Sequence, residues 1–136
     1  MKNTDQHFLV VDDMATMRRV VMGLLKELEY VNMIDADDGS SGWKILDGGT
    51  APVTFVITDW NMPVLDGIGL LRKIRATPKL ANLPVLMITA EAKKENVVTA
   101  AEAGADGYIV KPFTAAVLDD KIRKILARRA HLANAN

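Results

Sequence analysis

Short apolar runs in this sequence end on side chains able to do chemistry. Asp12 and Asp13 follow "FLVV" (8–11), and Asp59 follows "TFVIT" (54–58). Thr89 closes "PVLMIT" (84–89), and Lys111 closes "GYIVK" (107–111). Singly these residues are ordinary: Asp12 and Asp13 would cap a helix starting near Ala15, and Asp59 would cap a turn. Together they are an acidic cluster with one hydroxyl and one ammonium. Two like charges about 4 Å apart repel by roughly 4 kcal/mol at an effective dielectric near 20, so Lys111 alone does not relieve three acids. Oxygen donors without His or Cys favour a hard divalent cation. A few carboxylates completed by water suit the octahedron of Mg²⁺ better than the denser oxygen shell of Ca²⁺. A metal-neutralised aspartate beside a lysine and a hydroxyl is a nucleophile for phosphorus. Phosphoryl transfer asks mainly for positioning and charge cancellation on the equatorial oxygens. Mg²⁺, Lys111 and Thr89 would supply those contacts, and Ala90 leaves room for the incoming group.

Such a cluster exists only if the chain brings four run ends together. The runs above, with "NMIDA" (32–36), alternate with amphipathic stretches at roughly 15–29, 39–47, 66–76, 92–103 and 114–129. In the first stretch Met17, Val20, Val21, Leu24, Leu25 and Leu28 recur at helical spacing, and Val117, Leu118, Ile122, Ile125 and Leu126 do so in the last. Four of the runs are nearly continuous in apolar character, as strands buried on both faces of a parallel sheet are. "NMIDA" is more polar and reads as an edge strand. Strict alternation implies an α/β, doubly wound sheet with right-handed crossovers. Ligands of such sheets bind beyond the carboxyl ends of the strands, where the acids, Thr89 and Lys111 all fall.

Composition narrows the function classes. A chain of 136 residues with 49% apolar and 25% charged residues fits one globular domain. Lys plus Arg and Asp plus Glu tie at 17 each, so no global field favours nucleic acid or an anionic membrane. The absence of cysteine excludes disulfides and thiolate metal sites. With no apolar leader and no stretch near 20 apolar residues, the expectation is a soluble cytoplasmic protein.

The segments "LVVDD", "TDWNMPVLDG", "MITAEAKKEN" and "AGADGYIVKPF" resemble the response-regulator receiver family, in order and in spacing, over roughly residues 5–127. The whole chain is similar to the single-domain chemotaxis members of that family. The resemblance implies a flavodoxin-like (βα)5 fold, a five-stranded parallel sheet of order 2-1-3-4-5, with residues 1–136 as one receiver domain and 128–136 as a C-terminal tail. It implies Asp59 as the phosphoacceptor, fed by the phosphohistidine of a chemotaxis histidine kinase. Mg²⁺ would be held by Asp13, Asp59 and the Asn61 backbone carbonyl, with Asp12 acting largely through water. Thr89, Ala90 and Lys111 would surround the phosphoryl group, and Lys111-Pro112 would be cis. Thr89 and Tyr108 would form the switch, and a surface with Glu91, Lys93, Tyr108 and Lys121 would meet the flagellar motor switch, the kinase and a phosphatase. The implied protein is a monomeric phosphoacceptor that catalyses only its own phosphorylation and slow dephosphorylation, with no nucleic-acid or membrane partner. A phosphate sink or a non-flagellar phosphorelay receiver is the alternative. Residues 31–53 depart from the family pattern, and the "DGGTAPVT" loop is lengthened.

Other classes fit less well. A haloacid-dehalogenase-like phosphatase also uses a strand-end aspartate with Mg²⁺, but places a second Asp two residues later as general acid/base. Here that position is Asn61, and an amide cannot shuttle the proton. A flavodoxin-like cofactor binder would want a Ser/Thr/Gly-rich phosphate loop after the first strand, whereas this chain offers "DDMATMRR". A nucleic-acid module could be read from Arg123, Lys124, Arg128 and Arg129. No aromatic platform accompanies them, and cations near a helix C-terminus are favoured by its dipole. His7 and His131 are expected in solvent, and Met17 and Met22 in the core.

Overall fold

Strand and helix alternate along the whole chain: β1 (Asn3–Val11), α1 (Ala15–Glu27), β2 (Tyr30–Ala36), α2 (Gly39–Gly48), β3 (Phe55–Asp59), α3 (Gly67–Ala76), β4 (Val85–Thr89), α4 (Lys94–Ala103), β5 (Gly107–Val110) and α5 (Ala115–Asn134). A 3₁₀ turn at Pro78–Leu80 leads into β4. The computed structural model describes residues 3–90 and 93–134. The strands are parallel in the order β2-β1-β3-β4-β5, which leaves "NMIDA" on the edge. Because all strands run the same way, Asp12, Asp59, Thr89 and Lys111 emerge along one edge of the sheet.

The period of two divides the core into two layers. Phe8, Val10, Phe55, Ile57, Leu86, Ile88 and Ile109 pack against Val21 and Leu25 of α1 and Leu118, Ile122 and Ile125 of α5. Leu9, Val11, Val56, Val85 and Met87 pack on the other face against α2, α3 and α4. Every residue of β3 and β4 is buried, which explains their unbroken apolar runs. At about 1.5–3 kcal/mol for each fully buried large side chain, these layers fix the sheet as a rigid platform. Helices α2 and α3 start at Asp38 and Asp66, whose carboxylates accept from the Ser41 and Gly69 N–H groups at 2.7 and 2.8 Å.

Boundaries differ from the sequence reading where polarity hid them. β1 begins at Asn3, ahead of its apolar run, because polar residues pair with β2 through a shifted register. β2 begins at Tyr30, whose ring meets Phe8 edge-on at 4.7 Å. Segment 128–134, expected as a tail, continues α5 to Asn134. Alanine-rich sequence propagates the helix, and two of its arginines find a partner. Arg128 and Arg129 therefore do not sit loose in a terminal dipole; both reach Asp106. Further back, Arg123 and Lys124 pair with Asp119 and Asp120 one turn away.

Asp106 lies at the edge of the sheet opposite the acid cluster. Its buried carboxylate accepts from Arg75 Nη2 at 2.9 Å, Arg129 Nε at 2.7 Å and the Val85 N–H at 2.8 Å. Arg75 also donates to the carbonyls of Gly104, Ala81 and Leu83. One carboxylate thus joins α3, the loop before β4, the start of β5 and the end of α5. Removing it strands the half-buried arginines. We expect Asp106→Ala to lower unfolding stability in urea by about 3 kcal/mol, the scale on which a buried pair loses a partner. Arg123→Ala, on the exposed face, should change it by less than about 0.5 kcal/mol.

Candidate functional site

The end of β1 fixes the first two acids through backbone bonds. The Asp12 N–H donates to the Ala36 carbonyl at 3.1 Å, and the Asp12 carbonyl accepts from Arg18 Nη1 at 2.7 Å. Its carboxylate is used as well: Oδ1 accepts from the Met14 N–H at 2.9 Å, and Oδ2 lies 3.4 Å from Lys111 Nζ. The helix-capping alternative is not what forms. Met14 is the N-cap of α1 and makes no side-chain cap bond. Asp12 is 3% exposed, while Asp13 stands in solvent.

Asp59 ends β3 in register with Ile88 of β4 and is 8% exposed. Its Oδ1 accepts from the Trp60 N–H at 2.9 Å and lies 3.5 Å from Lys111 Nζ. The turn after it is set by two local features. Gly67 is pressed so closely on the Asp59 carbonyl and Trp60 Cα that a methyl group there would overlap backbone, and its N–H donates to the Trp60 carbonyl at 2.8 Å. Val64 sits at φ 70°, an uncommon conformation for a β-branched residue, and is 84% exposed. The Leu65 N–H closes the turn around it on the Pro63 carbonyl at 2.8 Å. The tight turn keeps Asn61 on the exposed side, beside Asp13, Met62, Pro63 and Asp66 in one shallow cleft.

Asp12, Asp13 and Asp59 offer carboxylate oxygens that all lie within 4.8 Å of one another. Opposite ligands of an octahedral Mg²⁺ are about 4.2 Å apart, so the set fits one hard cation with a slight side-chain adjustment or a bridging water. Lys111 Nζ lies between the two buried acids and leaves Asp13 to the solvent side. Burial pushes the Asp59 carboxyl above its ordinary pKa; the Lys111 ammonium opposes that rise and the Asp12 charge adds to it.

Thr89 ends β4 opposite Val110 and is almost fully buried, while Ala90 beyond it is exposed. Lys111 is held by its N–H on the Thr89 carbonyl at 2.8 Å, and Lys111-Pro112 is cis. Tyr108, in register with Met87, is half-buried and meets Trp60 edge-on, with ring centroids 6.2 Å apart. A ring contact thus joins the residue after Asp59 to β5. Of the expected partner surface, Glu91 lies outside the described residues and Lys93 is exposed at the start of α4. Tyr108 and Lys121 line a groove of about 420 Å³ with Val97, Ala101 and Arg128. His7 is half-buried, its N–H donating to Thr54 Oγ1 at 2.8 Å. Met22 packs against the α1 layer of the core. Sequence reasoning missed Arg18. Its signal was only its place on the second turn of α1, where a long side chain points back toward the helix N-terminus.

A family model described as the response regulator receiver domain matches residues 8–123. The chain is 52% identical over 120 residues to the Pseudomonas aeruginosa chemotaxis protein CheY, covering 88% of this chain and 95% of that one. It is 53% identical over 126 residues to chemotaxis protein CheY-3 of Vibrio cholerae, covering 93% and 95%. Among solved structures, a response regulator receiver domain protein from Clostridium thermocellum superposes with a TM-score of 0.81 at 30% identity, covering 93% of this chain and 98% of that one. The chemotaxis response regulator CheY4 of Vibrio cholerae superposes at 0.79 and 29% identity, covering 90% and 99%.

The raised Asp59 pKa has a definite sign. A carboxyl that holds its proton more tightly folded than unfolded favours the native state at low pH. That contribution is lost as pH rises from the ordinary carboxylate range through the raised folded value. At neutral pH the Asp59 charge is therefore a net burden on the fold. We expect Asp59→Asn to raise the thermal midpoint at pH 7 by a few degrees, on a scale of about 3–5 °C per kcal/mol for a domain of this size. The gain should shrink when the melts are repeated below pH 4.

Proposed function

The chain belongs to the response regulator receiver domain family, and from that premise we propose that it is a chemotaxis response regulator whose Asp59 accepts a phosphoryl group from a sensor kinase. The observation that carries the reading is the meeting of Asp12, Asp13 and Asp59 at one sheet edge, with Lys111 Nζ between Asp12 and Asp59. Bound Mg²⁺ supplies charge cancellation on the phosphoryl oxygens. Asp13, Asp59 and the Asn61 carbonyl would hold it, with Asp12 acting through water.

The chain's own residues account for the rest. An Asp59 carboxylate oxygen forms the new P–O bond as the P–N bond of the donor phosphohistidine breaks. The imidazole nitrogen keeps the electron pair and takes up a proton. The Lys111 ammonium and the Thr89 hydroxyl lie at neighbouring strand ends, where they would meet the equatorial oxygens. The exposed methyl of Ala90 leaves the approach open. Asn61 stands where a hydrolase would need a general acid/base, so the acyl phosphate lasts long enough to act as a signal, and the protein works as a phosphoacceptor and not as a turnover enzyme.

Output requires a partner that prefers one shape, because a partner shifts a population only by its differential affinity. Drawing Thr89 toward the phosphoryl group would release space for Tyr108 and reshape the face formed by α4, β5 and α5. Helix α4 suits that role, since Ala100 is its only fully buried residue among those described. The reading assigns this face to the flagellar motor switch, the kinase and a phosphatase. It takes the protein as a cytoplasmic monomer; among the described residues no helix is long and apolar enough to cross a membrane.

Incubation with Mg²⁺ and a small-molecule phosphodonor should add one phosphoryl mass by intact-mass spectrometry, and Asp59→Asn should abolish it. An unchanged adduct in that variant would rule Asp59 out. A peptide from a motor switch protein should bind the phosphorylated form about tenfold more tightly, or about 1.4 kcal/mol. Equal affinity in both states would defeat the output half of the reading.

A further inference from the structure

Asp12 and Asp13 are joined by a single planar peptide, so whatever fixes that plane constrains the positions of the two Cα atoms from which both side chains start. The Asp12 N–H is held by the Ala36 carbonyl at 3.1 Å, which secures the near side. The Asp12 carbonyl, which belongs to the shared peptide, is held by Arg18 Nη1 at 2.7 Å. The guanidinium is itself held. Its Nε donates to Asp35 Oδ2 at 2.8 Å, and Asp35 lies on β2 in register with Val10, one step before the Ala36 that grips Asp12. The Arg18 side chain is 17% exposed, and its bond to the Asp12 carbonyl lies on the part-buried side, while Asp35 at 41% meets solvent.

We infer that Arg18, oriented by Asp35, is a positioning residue for the cation site: it fixes the peptide between Asp12 and Asp13 and so pre-sets the carboxylates that receive the metal. The inference rests on the Mg²⁺ reading above. Arginine suits the task because its rigid fork reaches two acceptors at once, which a lysine ammonium on a flexible stem does not do in a fixed geometry. Its charge alone would repel a cation. Asp35 offsets that charge, so the clamp adds order to the site without adding net charge.

Charge and positioning predict opposite signs, which makes the inference testable. In a Trp43→Phe background, Mg²⁺ is titrated against Trp60 emission and, independently, by calorimetry, with thermal melts as the control for folding. Arg18→Ala removes a positive charge near the site and would tighten Mg²⁺ binding if charge were its only role. We expect instead a loss of about tenfold, the lower end of the effect of removing a group that orients metal ligands. The Arg18→Ala/Asp35→Ala pair leaves net charge unchanged and should show the same loss. Unchanged or tighter binding in the single variant, or parental affinity in the pair, overturns the inference. Should the alanine variants not fold, Arg18→Lys decides it: severalfold weaker binding is expected, and parental affinity overturns the role. A Trp43→Phe parent that shows neither an emission change nor heat with Mg²⁺ defeats the cation reading and the inference with it. A normal parental response with unaltered variants removes Arg18 alone.

Discussion

Two carboxylates and an ammonium, Asp12, Asp59 and Lys111, are held together largely out of water, with the third carboxylate, Asp13, on the solvent side. Charges in that setting are expensive to bury and repel their own kind. A looser scaffold would let the acids part or take up protons. Here the neighbouring parallel strands β1 and β3 end at the same level and bond each other in register, with β5 tied in through β4, so the acids cannot part without breaking the sheet. In the proposed role the repulsion would be put to use. Like charges that cannot separate make a strong site for a cation, because binding relieves repulsion already present in the fold. Burial keeps the Asp59 carboxyl less acidic than usual, and the nearby Asp12 charge adds to that rise against the opposing Lys111 ammonium.

Anchoring is unequal around this cluster. At the far edge of the sheet, Asp106 and the arginines around it tie the beginnings of β4 and β5 to α3 and α5. Helix α3 is fixed along its length by Ile68, Leu70, Leu71 and Ile74. Among its described residues, helix α4 buries only Ala100 fully, and Val97 and Val98 face solvent from it. A displacement at the end of β4 therefore meets firm resistance from the strand beginnings and from α3, and little from α4. Elements with few buried contacts open at the lowest free energy, which in the proposed role would let the face of Tyr108 and α4 register an event at Asp59.

Much of this was legible in the residues. The continuous apolar runs of β3 and β4 reported burial on both faces, and their polar ends marked the chemical edge of the sheet, because burial and function impose different residue types at adjoining positions. The first residues of β1 and β2 left no such mark: polar residues pair there beyond the core, so hydrophobic pattern does not see them. The continuation of α5 was hidden for a related reason. The cations at 128 and 129 look like a solvated terminus unless Asp106, far away in sequence, is known to lie beneath them. Arg18 was equally silent, since one of its acceptors is a backbone carbonyl, which no residue type announces, and the other, Asp35, lies on a different strand. Opposite charges one helical turn apart, such as Arg123 and Asp119, can be paired by inspection; partners distant in sequence and backbone acceptors need coordinates.

The position of Asn61 completes the argument about what the cluster is for. It borders the same cleft as Asp13 and Asp66, where another carboxylate would be easy to accommodate sterically. A carboxylate there would add a proton acceptor within reach of a water attacking the phosphoryl group, and would add one more negative charge to a site already crowded with them. An amide avoids both consequences. In the proposed role the Asn61 backbone carbonyl would still face a bound cation while its side chain competes for no proton, so a phosphoryl group taken up at Asp59 would be lost slowly. Slow loss is a defect in a hydrolase. In the proposed role, where output depends on a partner finding the modified form by diffusion, it would be the property that lets the modification be read.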